Sequence, residues 1–326
     1  MSDMPENTWQ PGATYAVMQR RATMLQAIRR FFEQRSVLEV DTPALSRSGN
    51  TDPNIESLTT HVDGRNRPYF LHTSPEFAMK RILAAHKCDI YQVCKVFRQG
   101  ESGRRHNPEF TMLEWYRVGI DHIALMAEVE LLITTIAPEL DLQDSQRVTY
   151  ADAIMRYAGV SIQDSEDALL EKLQQRLPNR SLPEFEDKDA ILDWLMAVEV
   201  APNFPTNCLT FVFDYPVSQA SLAKIRSDND RAVAERFEVY LGETELANGF
   251  HELTDAREQR ERFEGEQNKR AHKGSSIPPI DNNLLKALEH GMPECAGVAM
   301  GLDRLLMATL KLDDIADVLA FTNENA

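Results

Sequence analysis

Hydrophobic and polar positions are most regularly ordered between Tyr91 and Val118. Tyr91–Phe97 is an apolar, β-rich run of strand length, closed by Arg98. A polar loop, Gln99–Pro108, carries Gly100, Gly103, Arg104, Arg105 and His106 and leads into a second strand, Glu109–Val118. Strand side chains alternate, so Phe110, Met112, Glu114 and Tyr116 share one face while Thr111, Leu113 and Trp115 share the other. A carboxylate among aromatics is costly unless it meets a cation. The loop also exceeds the roughly two to five residues usual for a hairpin, and long ordered loops tend to be functional. The alternative is an edge hairpin with a solvated polar face.

Other periodicities fill in the chain. Apolar positions at Met18, Ala22, Leu25, Ile28 and Phe32 predict a helix over Tyr15–Arg35, followed by a strand, Val37–Thr42, that stops at Pro43. Residues up to about 14 read as a tail. Thr51–Arg67 reads as loops around a short strand, and Tyr69–His72 as a strand. Thr73-Ser74-Pro75-Glu76 opens a helix running to about Leu83, with Thr73 or Ser74 as cap and Pro75 in the first turn. Ile120–Ile136 is helical, with a broad apolar face. Asp141–Pro205 is acidic and helical in pattern, with capping starts at Thr149 and Ser165, and Leu209–Tyr215 is an apolar strand ending at Pro216.

Two later stretches carry chemistry. Arg236–Glu252 folds into a hairpin about Gly242-Glu243. A two-residue turn sets Tyr240 opposite Glu245 and Glu238 opposite Ala247. Glu238 and Glu245 then become diagonal neighbours on one face, with no cationic side chain evident nearby. Oxygen-only ligands held that close suit Mg²⁺. The alternative is that both glutamates point into solvent. In Ala296–Leu310 small residues run into Gly301, and a helix starts near Leu302 or Asp303. Arg304 then lies in the first turn, where a cation opposes the helix dipole and a bound phosphate would compensate.

Composition narrows the class. In 326 residues, Lys+Arg 35 against Asp+Glu 51 gives a net charge of −16, which disfavours non-specific nucleic-acid binding. Arg257–Lys273 nevertheless contains several basic residues that could form a local patch. No run approaches the roughly 18–20 apolar residues of a membrane span, and Met1–Gln10 is polar and acidic, unlike a signal peptide. Cys88, Cys94, Cys208 and Cys295 lack metal-ligand spacing, so reduced thiols in the cytoplasm are expected.

Phe97-Arg98 followed by His106-Asn107-Pro108-Glu109-Phe110-Thr111-Met112-Leu113-Glu114-Trp115-Tyr116 resembles motif 2 of class II aminoacyl-tRNA synthetases, in its lysyl version. The Tyr15–Arg35 helix with its proline-ended strand is similar to motif 1, and Gly301-Leu302-Asp303-Arg304 to motif 3. The resemblance implies an α+β class II catalytic domain over 15–326, an antiparallel sheet flanked by helices. A mainly helical insertion is expected at about 141–205 and a homodimer through motif 1. Motif 1 begins too early to leave room for an anticodon-binding domain, so no stable tRNA binding is expected. Chains of this shorter kind resemble the ligases that activate (R)-β-lysine with ATP and pass it to a lysine side chain of elongation factor P. A minimal lysyl-tRNA synthetase and a non-catalytic amino-acid-binding paralogue are the alternatives.

By the same resemblance Arg98 and Arg304 are catalytic, and Glu238 and Glu245 hold Mg²⁺. ATP meets Arg98, Gln99, Gly100, Glu101, Asn107, Phe110, Glu245, Leu246, Gly301 and Arg304. Glu101 takes the adenine contact from one position later than in the family pattern. The lysine substrate meets Ser74, Pro75, Glu76, Glu114, Tyr116, Ala247, Asn248, Phe250 and Glu252, the carboxylates suiting a ligand with two ammonium groups. Ala247, where lysyl-tRNA synthetases carry glycine, is expected to alter the pocket by one methyl.

Overall fold

The computed structural model describes residues 9–62, 67–178, 181–228 and 231–326. Part of the expected tail, residues 1–8, lies outside them. Gly12 and Ala13 are tied by backbone hydrogen bonds to Ala320 and Leu319, so the end of that stretch is docked on the C-terminal segment.

Helix α1 (Tyr15–Glu33) starts where the Thr14 hydroxyl accepts from the Val17 amide. Strand β1 is shorter than expected, Leu38–Glu39, because it is a sheet edge paired only with Ile90 and Tyr91. A small separate sheet follows, of β2 (Leu45–Ser46), β3 (Thr59–Thr60) and β4 (Tyr69–Leu71). Helix α2 runs Glu76–His86. Pro75 occupies its N-cap position, one residue earlier than expected, and the Ser74 hydroxyl accepts from the Glu76 amide. Strands β5 (Ile90–Phe97) and β6 (Glu109–Val118) form the expected antiparallel hairpin, and α3 spans His122–Ile136.

The expected helical insertion opens with a strand, β7 (Gln143–Thr149), which joins the main sheet parallel to β8 (Cys208–Pro216). As an exposed edge built of Gln, Asp, Ser, Gln and Arg it has no apolar alternation to announce it. The rest is helical: α4 (Tyr150–Ala153), α5 (Glu166–Arg176) and α6 (Lys188–Leu195), with Thr149 and Ser165 as N-caps of the first two. Then come β9 (Ile225–Asp228), β10 (Arg231–Leu241), β11 (Thr244–His251), α7 (Ala256–His272), α8 (Asn282–Gly291), β12 (Cys295–Gly301) and α9 (Leu302–Leu310).

The main sheet runs β1-β5-β6-β12-β11-β10-β8-β7, with β9 beside β10. All its pairings except β1–β5 and β7–β8 are antiparallel. One face is sealed by a core in which Leu113, Trp115, Phe211, Phe237 and Val239 meet Phe32 of α1, Val129 of α3 and Leu306 of α9. The opposite face is covered towards one end by the insertion, where Tyr150, Leu169 and Leu192 pack on Tyr215 and Tyr240. Towards the other end α2 and α8 pack on Ile90 and Tyr116. Between these two clusters the polar face of β6, β10, β11 and β12 is left to line cavities. Among the described residues no helix is long and apolar enough to cross a membrane.

Candidate active site

The two cavities on this open face share a wall. The first, about 260 Å³, is lined by Arg98, Glu101, Asn107 and Phe110 with Glu238, Glu245, Leu246, Gly301 and Arg304. The second, about 180 Å³, is lined by Ser74, Glu76, Glu114, Tyr116, Asn248, Phe250 and Glu252. Arg98, Arg236, Met112, Asn248 and Ala299 line both. Alternation on β6 delivers Phe110 and Met112 to the first cavity, Met112, Glu114 and Tyr116 to the second, and sends Leu113 and Trp115 to the core.

The second cavity is acidic, and its Glu114 and Glu252 carboxylates are buried. Glu114 is 2% exposed and Glu252 1%. Glu114 accepts from Ser74 Oγ and from Tyr116 Oη, each at 2.7 Å. Lys80, 1% exposed, bridges Glu76 and Glu252 at 2.6 Å each. Burial, then the charge of Glu76, pushes the Glu114 carboxyl up to about 7. Burial lifts Glu252 to about 8 even with Lys80 opposing it. Burial works against the Lys80 charge, but Glu252 and Glu76 outweigh it and raise its pKa. Three carboxylates around one internal cation leave the cavity poised for further positive charge.

Around the first cavity, Arg98 follows β5 and is held by Glu101 at 3.2 Å and by the Thr73 carbonyl, with its guanidinium 5.1 Å from the Phe110 ring centroid. Arg304 lies in the first turn of α9. It donates to the Glu245 carbonyl at 3.1 Å and meets His106 Nε2 at 2.7 Å. Burial, then the Arg304 charge, lowers the His106 pKa, so the ring is neutral and accepts from Arg304.

The β10–β11 hairpin departs from the expected register. Tyr240 opposes Glu245, but a bulge then sets Val239 opposite Ala247 and Glu238 opposite Asn248. Glu238 also has a cation beside it: Arg236, two residues earlier on the same face, donates to it at 2.6 Å, and Tyr240 Oη donates at 2.5 Å. Glu245 has a loose ion pair with Arg304 at 3.8 Å; its side chain is 41% exposed, and partial burial followed by the Glu238 charge raises its pKa. Arg304, Arg236 and Arg98 oppose that rise without cancelling it. With oxygen-only donors facing the Arg98 and Arg304 cavity, Glu238 and Glu245 fit Mg²⁺.

Several expected site residues lie elsewhere. Ala247 faces the core, opposite Val239 and Met300, because it falls on the other side of β11 from Asn248 and Phe250. It borders the first cavity, not the acidic one. The methyl on the shared wall belongs to Ala299 of β12. Pro75 lines an adjoining cavity with Pro43, Leu45 and Arg81, which shares Asn50, Thr73, Ser74 and Glu76 with the acidic one. Gln99 is engaged through its backbone with Glu56, and Gly100, at φ +82°, turns the loop without lining either cavity.

Sequence reasoning missed Lys80, Arg236 and His106. The first two were signalled by helical i,i+4 spacing from Glu76 and strand i,i+2 spacing from Glu238. His106 had no such local signal.

Comparison with known proteins came to the same region of sequence space. A family model described as tRNA synthetases class II (D, K and N) matches residues 10–325. A Vibrio atlanticus (strain LGP32) protein is 47% identical over 97% of this chain and 98% of its own length. One from Edwardsiella ictaluri (strain 93-146) is 46% identical over the full length of both. One from Photorhabdus laumondii is 47% identical over 96% of this chain and 97% of its own. All three are named elongation factor P–(R)-β-lysine ligase.

Proposed function

Because this chain belongs to the class II tRNA synthetase family (D, K and N), we propose that it activates (R)-β-lysine with ATP and transfers it to a lysine side chain of elongation factor P. The relatives' shared name supports the substrate and the acceptor. The observation that carries the chemistry is Arg98 on the wall between a cavity that holds Arg304 with the Glu238 and Glu245 pair and an acidic one.

ATP occupies the first cavity, its terminal phosphates towards Arg304 and its adenine against Phe110. The β-lysine occupies the second, its two ammonium groups among Glu76, Glu114 and Glu252. Its carboxylate, already ionised at neutral pH, points to the shared wall and attacks the α-phosphorus, and pyrophosphate leaves. Arg98 meets the charge that develops there, at a fixed position between bound reactants. Glu238 and Glu245 would hold Mg²⁺, which supplies positive charge to the phosphates when bound. Arg236 holds Glu238 in place through its guanidinium.

We place a homodimer contact on α1 and the β1 edge, where Tyr15 is 72% and Leu38 56% exposed. The substrates and the four free cysteines fit work in the cytoplasm. The test is to incubate the enzyme with ATP, lysine isomers, elongation factor P and total tRNA together. A mass increase of one β-lysine on the protein is expected, and stable label in the tRNA fraction with none on the protein would overturn the reading.

A further inference from the structure

The acidic cavity borders an outer basin of about 800 Å³ between the insertion and α7, with Asp52, Ile55, Ser221, Arg236 and Glu266 lining both. Its rim carries Asp187, Asp189 and Asp193 on one side and Lys269 and Lys273 on the other. Three ionisable residues border both spaces: Asp52, Arg236 and Glu266. Arg236 is committed to Glu238, Asn248 and the Gln219 carbonyl. Asp52 folds its own loop, accepting from the Asn54 amide at 2.8 Å. Glu266, on α7, is held at one oxygen by the Thr51 hydroxyl at 2.5 Å. Thr51 is itself buried, and its carbonyl is fixed by Arg270. Asp52 and Glu266 are thus the two carboxylates on this border without an ion pair among the described residues, and of the two Glu266 is the one held by a buried hydroxyl. The inner carboxylates have other duties: Glu76 and Glu252 share Lys80, and Glu114 holds Ser74 and Tyr116.

Taking the function proposed above as given, we infer that Glu266 receives the acceptor lysine: its carboxylate binds the incoming ε-ammonium and takes one proton from it. An acceptor side chain reaching Arg98 from the basin passes this group. The requirement is chemical. A lysine ammonium, pKa about 10.4, has no lone pair at neutral pH. After one proton passes to Glu266, the neutral amine attacks the carbonyl carbon of the adenylate. The C–N bond forms, the C–O bond to phosphate breaks, and AMP leaves with that electron pair. The second nitrogen proton goes to solvent or the departing phosphate. A base works best with a pKa near the working pH. Burial, with Asp52 adding to it and Thr51, Lys269 and Arg262 opposing, pushes Glu266 up to about 7.

The experiment isolates transfer by mixing preformed enzyme-bound β-lysyl-adenylate with elongation factor P. Glu266→Gln should slow transfer by about 10²-fold and remove the rise of the wild-type rate through pH about 7. Glu266→Asp, which keeps the carboxylate, should recover part of the rate and the pH limb. With hydroxylamine as nucleophile, neutral at this pH, wild type and Glu266→Gln should react alike. Equal transfer rates to elongation factor P in the two proteins, or an equal loss with both nucleophiles, would overturn the assignment. If the wild type forms adenylate but never labels elongation factor P, the acceptor is wrong and this inference falls with it.

Discussion

Arg98 stands on the wall shared by two cavities, one that holds Arg304 with Glu238 and Glu245 and one that holds Glu76, Glu114 and Glu252, and in the proposed reaction ATP and the amino acid meet there. Charge at the α-phosphate grows in the transition state, so Arg98→Ala should lower kcat for pyrophosphate exchange by about 10²-fold, with a smaller change in KM for ATP. A rise in KM alone would mean uniform binding. Gly297 tests the other cavity. It pairs with Tyr116 and Phe250, and a Cβ there would run into the Tyr116 ring and the Glu252 carboxylate. Both neighbours are buried and tied, so Gly297→Ala should raise KM for β-lysine at least about ten-fold and cost about 1–3 kcal/mol by overpacking. An unchanged KM, measured in the same assay, would move the amino-acid site elsewhere. At this scale the faces of β6 were legible from alternation alone. The Glu238 environment was legible too, since Arg236 must share its face, yet pairing the glutamates with a metal left that cation out. The register of Glu238 and the placement of Ala247 were not, because a bulge between Val239 and Tyr240 shifts the pairing by one.

Lys80 shows what an element contributes beyond its motif. One turn of α2 separates it from Glu76, and its ammonium ties the helix to Glu252 at the end of the β11 strand. Removing it leaves two carboxylates without their cation in a buried site. Lys80→Met should therefore cost about 3–5 kcal/mol in urea unfolding. The loss should be smaller near pH 6, where Glu252, raised to about 8, is already protonated. A cost under about 1 kcal/mol at pH 8 would show the bridge to be idle. Helix α7 corrects a reading made from charge. Arg257–Lys273 suggested a basic patch, but Arg270 is 1% exposed and bonds Glu56 and the carbonyls of Thr51, Asp52 and Ile55. Arg262 turns to the Ser221 and Ala223 carbonyls. Those arginines fasten the 50–56 loop and the 221–223 turn over the cavities. Composition counts charges but cannot tell which are turned inward. For the long, strongly patterned elements (α1, β5, β6, α3, β12) the sequence was enough, because each has a buried face with a clear period. The polar edge β7 had none.

The whole molecule keeps its ligand-free site at an electrostatic cost, and that cost sets its response to pH. Burial pushes Glu114 up to about 7 and Glu252 up to about 8, against about 4.3 in an unfolded chain. Between those limits the native state holds protons that the unfolded state has released. The contribution of these groups to stability then falls as pH rises from about 4.5 to about 8, the opposite of a salt-bridged carboxylate. Lys80, its pKa raised, contributes stability that is lost only in the alkaline range above its unfolded value. A ligand carrying two ammonium groups reverses the balance by favouring the ionised carboxylates, so its binding releases protons and tightens as pH rises. KM for β-lysine should accordingly fall by about ten-fold or more between pH 6 and pH 8. The rise in melting temperature given by β-lysine with ATP should grow over the same range. Glu114→Gln, which removes one of these titrations, should flatten the dependence and weaken binding at pH 8. A KM that is level from pH 6 to 8, or a ligand-induced shift that shrinks with pH, would mean that the amino groups are not bound by these carboxylates.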